Sequence, residues 1–271
     1  MAKELSALEQ LKASRNPLRV IDDIYKEANE GIPLSNDYIG LLKWYGMYPH
    51  VNSEGLEDKK YFMKRIKLVD TRMNLEQLKV MAKIGRDYAQ GLVDFTTRQN
   101  VQFHFIQIKD MPEIFKLLES VGLTSRMASG DGPRPIMTCP VSGIDEDEIY
   151  DVQELVKSVD SYFDKNEDRF CNFPRKYKIG VSGCKCHCAA HEIQDVAFTA
   201  FKNDAGEVLF DLTIGGGLSK SKQIATRANR YVKPEQVRDV AVACAEIFRD
   251  NGNRENRNKA RVRHLLNDWG I

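Results

Sequence analysis

The sequence predicts an α+β protein in which a helical N-terminal arm precedes two units of mixed helices and strands. Three observations support this prediction. Residues 1–60 place apolar side chains at helical spacing, between breaks of Gly, Pro and Asn. From residue 61 the pattern changes to strands and amphipathic helices. A connection rich in Gly and Pro, residues 130–143, then separates this region from another that contains both kinds of element.

The first mixed unit has a recognisable order of elements. A strand, YFMKRIKLV, is followed by a helix whose start is marked by the capping-box pair Asn74 and Gln77. The next apolar segment is too long for one strand, and its polar centre at residues 98–100 predicts a hairpin turn. Asp110 then begins a second helix. The order strand, helix, strand, strand, helix is the ferredoxin-like split βαβ plan, which we assign to residues 61–125.

The second mixed unit occupies residues 126–271. It begins with the connection GDGPRPIMTCPVSG, which marks the domain boundary. Periodicity then predicts, in order, the helix EIYDVQELVKSVDSYF, the strands KYKIGVSG, DVAFTAF and VLFDLTIGG, and the helix PEQVRDVAVACAEIFRD. The predicted organisation is therefore an arm (1–60), a ferredoxin-like half-domain (61–125) and a mixed α/β domain (126–271).

The composition argues against several classes of partner. The 271 residues include 40 basic and 39 acidic side chains, a formal net charge of +1. The chain thus lacks the overall charge that attracts nucleic acids or anionic membranes. We also find neither an apolar signal segment nor a stretch approaching the about 18 apolar residues of a membrane span. Six Cys are too few for a disulfide framework, so we expect a cytoplasmic protein without nucleic-acid or membrane partners.

Four basic residues are candidates for an anion site. Arg98 lies at the predicted hairpin turn, and Arg134 is held in extended backbone between two prolines. The period of a strand places Lys176 and Lys178 on one face of KYKIGVSG. Two such ammonium groups repel unless an anion lies between them, so the four residues can enclose a small dianion or a polycarboxylate. The alternatives are a surface ion pair for Arg98 and a solvated edge strand for the lysines.

The segment GCKCHCAAH concentrates soft metal ligands. Cys184, Cys186 and Cys188 alternate along it, and Cys139 and Cys171 are further cysteines of the same unit. This number of thiols is typical of zinc or iron–sulfur sites, whereas the spacing differs from the usual C-x2-4-C pairs of structural zinc. Metal ligation and ordinary buried or loop thiols both remain open on these residues.

Two further segments have open interpretations. The glycine run in TIGGGLSKSKQIA is either a turn or a loop whose backbone amides approach an anionic cofactor. The basic run RDNGNRENRNKARVRHLL lacks the interleaved aromatic residues that stack on bases, so we interpret it as a solvated helix face.

Taken in order, these motifs resemble the sirohaem-containing nitrite and sulfite reductases. The resemblance rests on TTRQNVQFH, GDGPRPIMTCPVSGID, FPRKYKIGVSGC, QDVAFTAF, GGGLSKS and KARVRHLL, and it extends from about Asn16 to Ile271. The matched part is similar to the first of the two homologous halves of those enzymes. The resemblance implies a ferredoxin-like domain followed by an α/β domain, with sirohaem coupled to a 4Fe-4S cluster and used for six-electron reduction of sulfite to sulfide or nitrite to ammonia.

The resemblance also implies roles for particular side chains. The substrate anion would be ringed by the catalytic residues Arg98, Arg134, Lys176 and Lys178. The arginines would clamp the oxyanion, and the lysines would bind it and supply protons. The carboxylates of sirohaem would be bound by Arg65, Arg98, Arg134, Arg175 and Lys176. Lys-x-Lys at this place is typical of sulfite reduction in the family, so Lys178 favours sulfite.

The chain also departs from the family pattern. The family's cluster ligands form a C-x5-C and a later C-x3-C in the second half. Cys184 and Cys188 have the second spacing, but Cys139 has no Cys six residues away, so these three are metal-ligand candidates without a complete set. Pro135 replaces the Asn that more often follows the arginine. We expect a complementary C-terminal half to supply the cluster ligands and a donor such as ferredoxin to supply electrons. The alternative function is a non-catalytic module that binds sirohaem or an iron–sulfur cluster for delivery or sensing.

Overall fold

The computed structural model describes residues 5–51, 57–69, 71–219 and 221–271. The chain divides into two compact units. The N-terminal unit consists of Ser14–Leu68 and Arg72–Gly130, and the C-terminal unit consists of the described parts of 1–13, 69–71 and 131–271. Helix α1 (Ala7–Ser14) is the first element of the chain, and all but its last residue belongs to the C-terminal unit.

The N-terminal unit is built on an antiparallel sheet in the order β1-β2-β4-β3. Its capping box at Asn74 and Gln77 is present, and the two segments flanking residues 98–100 pair as a hairpin, so both predictions are confirmed. The elements in chain order are α2 (Val20–Glu30), a 3-10 helix (Asn36–Tyr45), β1 (Met47–Val51), β2 (Glu57–Ile66), α3 (Leu75–Tyr88), β3 (Val93–Phe95), β4 (Val101–Ile106) and α4 (Met111–Glu119).

Strand β1 lies within the segment whose periodicity predicts only helices. It pairs antiparallel with β2, with Met47 opposite Lys64, and it forms one edge of the sheet. Pro49 obscures the strand in the sequence because proline cannot donate to a ladder, yet an edge strand tolerates it. The segment that the sequence describes as an arm therefore contributes a strand to the sheet of the ferredoxin-like fold.

The C-terminal unit combines a mixed sheet with helices. The sheet order is β5-β6-β7-β8, in which β5 and β6 are parallel and the other neighbours are antiparallel. Strand β8 is absent from the sequence prediction because most of its side chains are exposed at the sheet edge, which leaves no apolar alternation. The elements after α1 are α5 (Gln153–Lys165), α6 (Glu167–Phe170), β5 (Ile179–Ser182), β6 (Val196–Lys202), β7 (Val208–Ile214), β8 (Thr226–Val232), α7 (Val237–Asn251) and α8 (Val262–Trp269).

The core of this unit anchors the segment that carries the candidate lysines. Tyr177, Ile179 and Val181 are fully buried in one apolar cluster with residues of β6, β7, α5 and α7. Each such side chain contributes roughly 1.5–3 kcal/mol through burial. The backbone from residue 176 to 178 is extended but precedes β5, and Tyr177 forms an isolated parallel bridge with Pro133. Among the described residues, no helix has the length and apolar character needed to cross a membrane.

Candidate functional site

A basic pocket lies in the C-terminal unit. It has a cavity volume of about 440 Å³, and no acidic residue lines it in the described part of the chain. Its uncharged lining consists of Ile193, Leu218, Ser219, Ser221 and Asn258. Its cationic lining consists of Arg175, Lys176, Lys178, Arg257, Arg261 and Arg263. A cavity with this lining is suited to a ligand that carries several negative charges.

Alternation along one extended segment directs two lysines into the pocket. Tyr177 and Ile179 are buried in the core, whereas Lys176 and Lys178 are only partly buried and line the cavity. The segment is held by backbone hydrogen bonds, because the Arg134 amide donates to the Tyr177 carbonyl at 2.8 Å. The period-2 argument from the sequence therefore placed the two lysines correctly on one face, although the regular strand begins only after them.

Asp195 lies behind the pocket and orients two of its elements. Its side chain is fully buried, and one carboxylate oxygen accepts the Lys178 amide at 2.8 Å. Arg261 donates to both oxygens of the same carboxylate, from Nε at 3.1 Å and from Nη2 at 2.7 Å. A bidentate pair of this kind fixes the plane of a guanidinium. Asp195 thus holds Arg261 and the backbone of Lys178 in place on the pocket wall.

A second buried carboxylate, Asp131, binds Arg257 at another point of the pocket lining. Arg257 donates to its two oxygens at 2.7 and 2.9 Å, and the Lys12 ammonium lies 3.4 Å away. Arg175 approaches the same carboxylate to 4.0 Å. Burial alone would raise the pKa of Asp131, but the hydrogen bonds from Arg257 and the charges of Lys12 and Arg175 lower it overall. Asp131 is therefore a permanent anion at neutral pH.

The surroundings of Lys176 in the pocket strongly lower its pKa. Burial is the largest cause, followed by the positive charges of Arg134, Arg175, Arg261 and Lys178, and together they lower the pKa of the ammonium to about 7. Lys176 can consequently gain or lose a proton near neutral pH, which an ordinary lysine cannot do. A bound anion would oppose the repulsion and return the proton to Lys176.

A glycine loop brings backbone close to the pocket. A Cβ atom at Gly216 would lie 2.3 Å from the Glu192 carbonyl oxygen, and one at Gly217 would lie 2.4 Å from Arg263 Nη1. Leu218 and Ser219, which follow directly, line the cavity. Of the two sequence interpretations, a simple turn or a loop facing a ligand site, the structure supports a loop that faces the basic pocket.

The remaining sequence candidates lie in two places. Arg134 belongs to the C-terminal unit and is close enough for its charge to lower the pKa of Lys176. Arg65 and Arg98 belong to the N-terminal unit. There Arg65 donates to Gln102 Oε1 from Nη2 at 2.7 Å, and Arg98 lies in the turn between β3 and β4, as predicted. Convergence of all the candidate cations on one ligand stays a prediction.

Four of the cysteines of the C-terminal unit, Cys139, Cys184, Cys186 and Cys188, are neighbours. Cys139 and Cys184 are buried, whereas Cys188 is exposed. Burial, with the hydrogen-bonded Cys188 thiol and the nearby Cys184 thiol, raises the pKa of Cys139 to about 11. Among the residues that the structure describes, no group of three or more His, Cys, Asp or Glu side chains is arranged to hold a metal ion.

Sequence reasoning missed three arginines of the pocket. The interpretation of RENRNKARVRHLL as a solvated helix face is wrong for Arg261 and Arg263, which are buried, while Arg257 is bound to Asp131. Helix α7 ends at Asn251 and helix α8 begins only at Val262, so residues 252–261 lie outside the α-helices. The available signal was the local excess of arginine over acidic residues, but the counterions of these arginines, Asp131 and Asp195, lie far away in the sequence.

Comparison with known proteins is consistent across both units. Residues 129–271 match the family model "Nitrite and sulphite reductase 4Fe-4S domain", and residues 54–121 match "Nitrite/Sulfite reductase ferredoxin-like half domain". The solved structure of the NirA protein of Mycobacterium tuberculosis covers 99% of this chain with a TM-score of 0.91 and 33% identity, and the match spans 51% of that protein. The predicted α+β class with a ferredoxin-like half-domain is thereby confirmed.

Curated relatives give the same result. The chain is 34% identical to the "Sulfite reductase [ferredoxin]" of Mycobacterium tuberculosis, over 98% of this chain and 50% of that protein. It is also 34% identical to the "Assimilatory ferredoxin-dependent nitrite reductase" of Haloferax mediterranei, over 98% of this chain and 48% of that protein. The chain therefore spans about half the length of these relatives. Because the family model matches more than half of the chain, this protein belongs to the nitrite and sulphite reductase family.

Proposed function

We propose that this chain supplies the anion-binding half of a reductase that converts sulfite to sulfide, or nitrite to ammonia, at sirohaem coupled to a 4Fe-4S cluster. The observation that carries the proposal is the basic pocket, in which six cationic side chains line one cavity and two of them, Lys176 and Lys178, come from a single extended segment. Such a concentration of charge is costly unless an anion enters it.

The residues of the pocket fit a cofactor with several carboxylates. Arg175, Arg261 and Arg263 offer planar guanidinium groups that match carboxylates, and the glycine loop allows close approach by removing a Cβ next to Arg263. Arg175 and Lys176 would hold sirohaem together with Arg134, and with Arg65 and Arg98 of the N-terminal unit. When bound, sirohaem and its cluster supply the electrons for the reduction.

The ligands of the 4Fe-4S cluster must be considered separately from those of sirohaem. The described residues offer no group of three or more His, Cys, Asp or Glu side chains arranged to hold a metal ion. We therefore assign the cluster ligands to a complementary half of the enzyme. The relatives are about twice as long as this chain, which leaves room for that half.

The side chains of this chain act on charge and protons. Arg134 and Arg98 would bind the substrate oxyanion through their guanidinium groups. Lys176, whose pKa is about 7, would bind the same anion when protonated and release its proton from Nζ as a substrate oxygen leaves as water. Lys178 would hold the substrate next to it, since its backbone is fixed by Asp195.

The substrate and partners follow from the relatives. Both sulfite and nitrite reductases that use ferredoxin are about one-third identical to this chain. We propose ferredoxin as donor, and we keep sulfite as the preferred substrate because of the Lys-x-Lys segment. We also place the protein in the cytoplasm, since its six cysteines are thiols and such thiols persist in a reducing compartment.

The test is turnover of sulfite and of nitrite by this chain, loaded with sirohaem and combined with a complementary half, with a reduced dye as donor. Changing Lys176 or Lys178 to Met should lower kcat by about 100-fold or more, because a proton donor or an anion ligand is lost from the transition state. The free energy of unfolding should not fall, since neither side chain packs in the core.

Lys202→Met is the matched control, because Lys202 is an exposed lysine at the end of β6 in the same unit. It should leave kcat unchanged. Absence of sulfite and nitrite turnover in the sirohaem-loaded protein would contradict the reductase function and favour the alternative, a module that only binds sirohaem. Equal losses of kcat in the Lys176 variant and in the Lys202→Met control would contradict a role of Lys176 as proton donor.

A further inference from the structure

Four cysteines near the end of β5 form two pairs of neighbouring thiols. Cys139 is hydrogen-bonded to Cys188, and Cys184 is hydrogen-bonded to Cys186. In each pair one member is buried and the other is exposed: Cys139 and Cys184 are buried, whereas Cys186 and Cys188 are exposed. Packing in a core accounts for the buried members only. The proposed function uses none of the four.

Backbone hydrogen bonds bring Cys139 to the end of β5, although it is far from Cys188 in the sequence. The Met137 amide donates to the Ile179 carbonyl at 3.0 Å, and the Met137 carbonyl accepts the Val181 amide at 2.8 Å. The segment that leads to Cys139 therefore runs beside β5. The loop that follows β5 carries Cys188.

Gln194 joins the same two segments through its side chain. Its Nε2 atom donates to the Ala189 carbonyl at 3.0 Å and lies 3.6 Å from Met137 Sδ. Ala189 follows Cys188 directly, and Met137 is two residues before Cys139. Gln194 is only 1% exposed, so this link is shielded from water. The contact between Cys139 and Cys188 is therefore held in place by the surrounding fold.

Two neighbouring thiols can be oxidised together. Among the described residues, no group of three or more His, Cys, Asp or Glu side chains is arranged to hold a metal ion, so metal binding does not explain these pairs. Neighbouring thiols can instead lose two electrons and form a disulfide. In a reducing compartment such bonds are usually transient and serve catalysis or redox sensing. The exposed Cys188 is accessible to a reagent, and the buried Cys139 lies beside it.

The other pair is less suited to this chemistry. The hydrogen-bonded Cys184 thiol raises the pKa of Cys186, which disfavours the thiolate that such a reaction needs. Ser182 Oγ donates to the Cys184 carbonyl at 2.9 Å and to the Cys186 carbonyl at 3.4 Å, so the backbone between these two cysteines is fixed. The observations therefore favour Cys139 and Cys188.

We propose that Cys139 and Cys188 are a redox-active dithiol that small-molecule disulfides, such as oxidised glutathione, convert to a disulfide bond. The thiolate of the exposed Cys188 attacks one sulfur of the small disulfide, whose S–S bond breaks and releases one thiolate. Cys139 then loses its proton to water, attacks the Cys188 sulfur of the mixed disulfide and displaces the second thiolate. The two cysteines lose two electrons in total, and the small disulfide is reduced to two thiols that take up the two protons.

The disulfide restrains a segment that reaches the basic pocket. From Cys188 the chain continues to Glu192, whose carbonyl accepts the Ala225 amide at 2.8 Å, and to Ile193, which lines the cavity. A covalent bond at Cys188 therefore ties this part of the pocket wall to the segment of Cys139. The wall thereby responds to the redox state of its surroundings. The dithiol chemistry itself does not depend on the proposed reductase function.

The experiment incubates the full chain with oxidised glutathione, blocks the remaining thiols with iodoacetamide and identifies disulfides by peptide mass spectrometry. The wild type should yield the Cys139–Cys188 peptide pair as the main product, and dithiothreitol should restore both thiols. The same oxidation in concentrated urea should give a mixture of pairings, because only the folded chain brings these cysteines together. A folded wild type that gives mainly a Cys184–Cys186 disulfide, or only glutathione adducts, would overturn the proposal.

Single variants separate the two steps of the exchange. Cys188→Ser should slow the loss of thiols about tenfold or more, because the exposed nucleophile is absent. Cys139→Ser should stop at the mixed disulfide, with one glutathione on Cys188. Cys244→Ser is the matched control, because Cys244 lies in α7 and belongs to neither thiol pair. It should form the Cys139–Cys188 disulfide at the wild-type rate.

Cys188→Ser changes an exposed side chain, so it decides the outcome if Cys139→Ser does not fold. Loss of thiols from Cys188→Ser at the wild-type rate would contradict the proposed order of attack and overturn the dithiol.

A second measurement follows amide hydrogen exchange of residues 189–193 in the reduced and the oxidised protein. Slower exchange in the oxidised wild type, together with equal exchange in both states of Cys188→Ser, supports the coupling to the pocket wall. Equal exchange in both states of the wild type would overturn that coupling. A disulfide that forms in a protein without sulfite or nitrite turnover contradicts the proposed function and supports the dithiol. Turnover without disulfide formation does the reverse.

Discussion

Two charge clusters of the C-terminal unit differ in how well their charges are matched. In the Asp131 cluster, the buried carboxylates of Asp131 and Glu9 pair with four cations, Lys12, Arg175, Arg254 and Arg257. Lys12 contacts both carboxylates, Arg257 binds Asp131 on two oxygens, and Arg254 donates to Glu9 at 2.9 Å. Lys12 also donates to the Phe173 carbonyl at 2.7 Å, which joins α1 to the rest of the unit.

The Asp195 cluster has the same kinds of groups in a different ratio. One carboxylate, Asp195, supports Arg261, while Arg263, Lys176 and Lys178 line the same cavity, whose described lining contains no acidic residue. Matched buried charges hold elements of a fold together, whereas surplus charges of one sign destabilise it until a ligand arrives. The comparison indicates that the first cluster serves stability and the second serves binding.

The largest effect on the free energy of unfolding should come from a substitution in the Asp131 cluster, whose buried charges are the better matched. Asp131→Asn removes one of the two buried carboxylates that pair with Lys12 and Arg257, and we expect it to lower the free energy of unfolding by about 3–5 kcal/mol, measured by urea denaturation at pH 7. Asp204→Asn, at an exposed turn, should change it little. A small effect of Asp131→Asn would mean that the Asp131 cluster does not stabilise the fold.

The lowered pKa of Asp131 predicts how the stability of the Asp131→Asn variant depends on pH. In the wild type, this carboxylate contributes stability above its ordinary pKa of 3.8. That contribution is lost as the pH falls through the lower pKa of the folded state. The Asn variant should therefore lose less stability on acidification than the wild type.

A smaller change in the free energy of unfolding, of opposite sign, should come from a substitution in the Asp195 cluster, which has an excess of positive charge. Lys176→Gln removes a cation whose folded-state pKa, about 7, lies below its ordinary value of 10.5. Between these two pH values the unfolded wild-type chain binds more protons, so wild-type stability from this group rises with pH. The variant should be more stable by roughly 1 kcal/mol at pH 7, after allowance for solvent screening, and should lack that rise. Destabilisation by this change would contradict the surplus of positive charge.

The smallest effect should come from an exposed ion pair. Lys157 lies 3.0 Å from Glu154 on the surface of α5. Glu154→Gln should change the free energy of unfolding by about 0.5 kcal/mol or less, because solvent and salt screen the pair. A change comparable with that of Asp131→Asn would mean that burial is not what makes the Asp131 cluster more stabilising than an exposed ion pair.

Sequence patterns predicted the elements whose side chains alternate cleanly between core and solvent. The hairpin at residues 98–100, the capping box at Asn74 and the shared face of Lys176 and Lys178 all follow from local periodicity and turn chemistry. The same reasoning missed β1 and β8, since both are edge strands with few buried side chains. Local patterns record burial, and an edge strand is stabilised mainly by its neighbour's backbone.

The order of elements, the placement of the two lysines and the family resemblance were determined by the sequence alone, because each depends on neighbouring residues. Tertiary structure alone decided which arginines are buried together and which have a counterion. Asp195 and Arg261 are 66 residues apart, and Asp131 and Arg257 are 126 apart. Electrostatic interactions depend on distance in space and on burial, neither of which a linear pattern of charges contains.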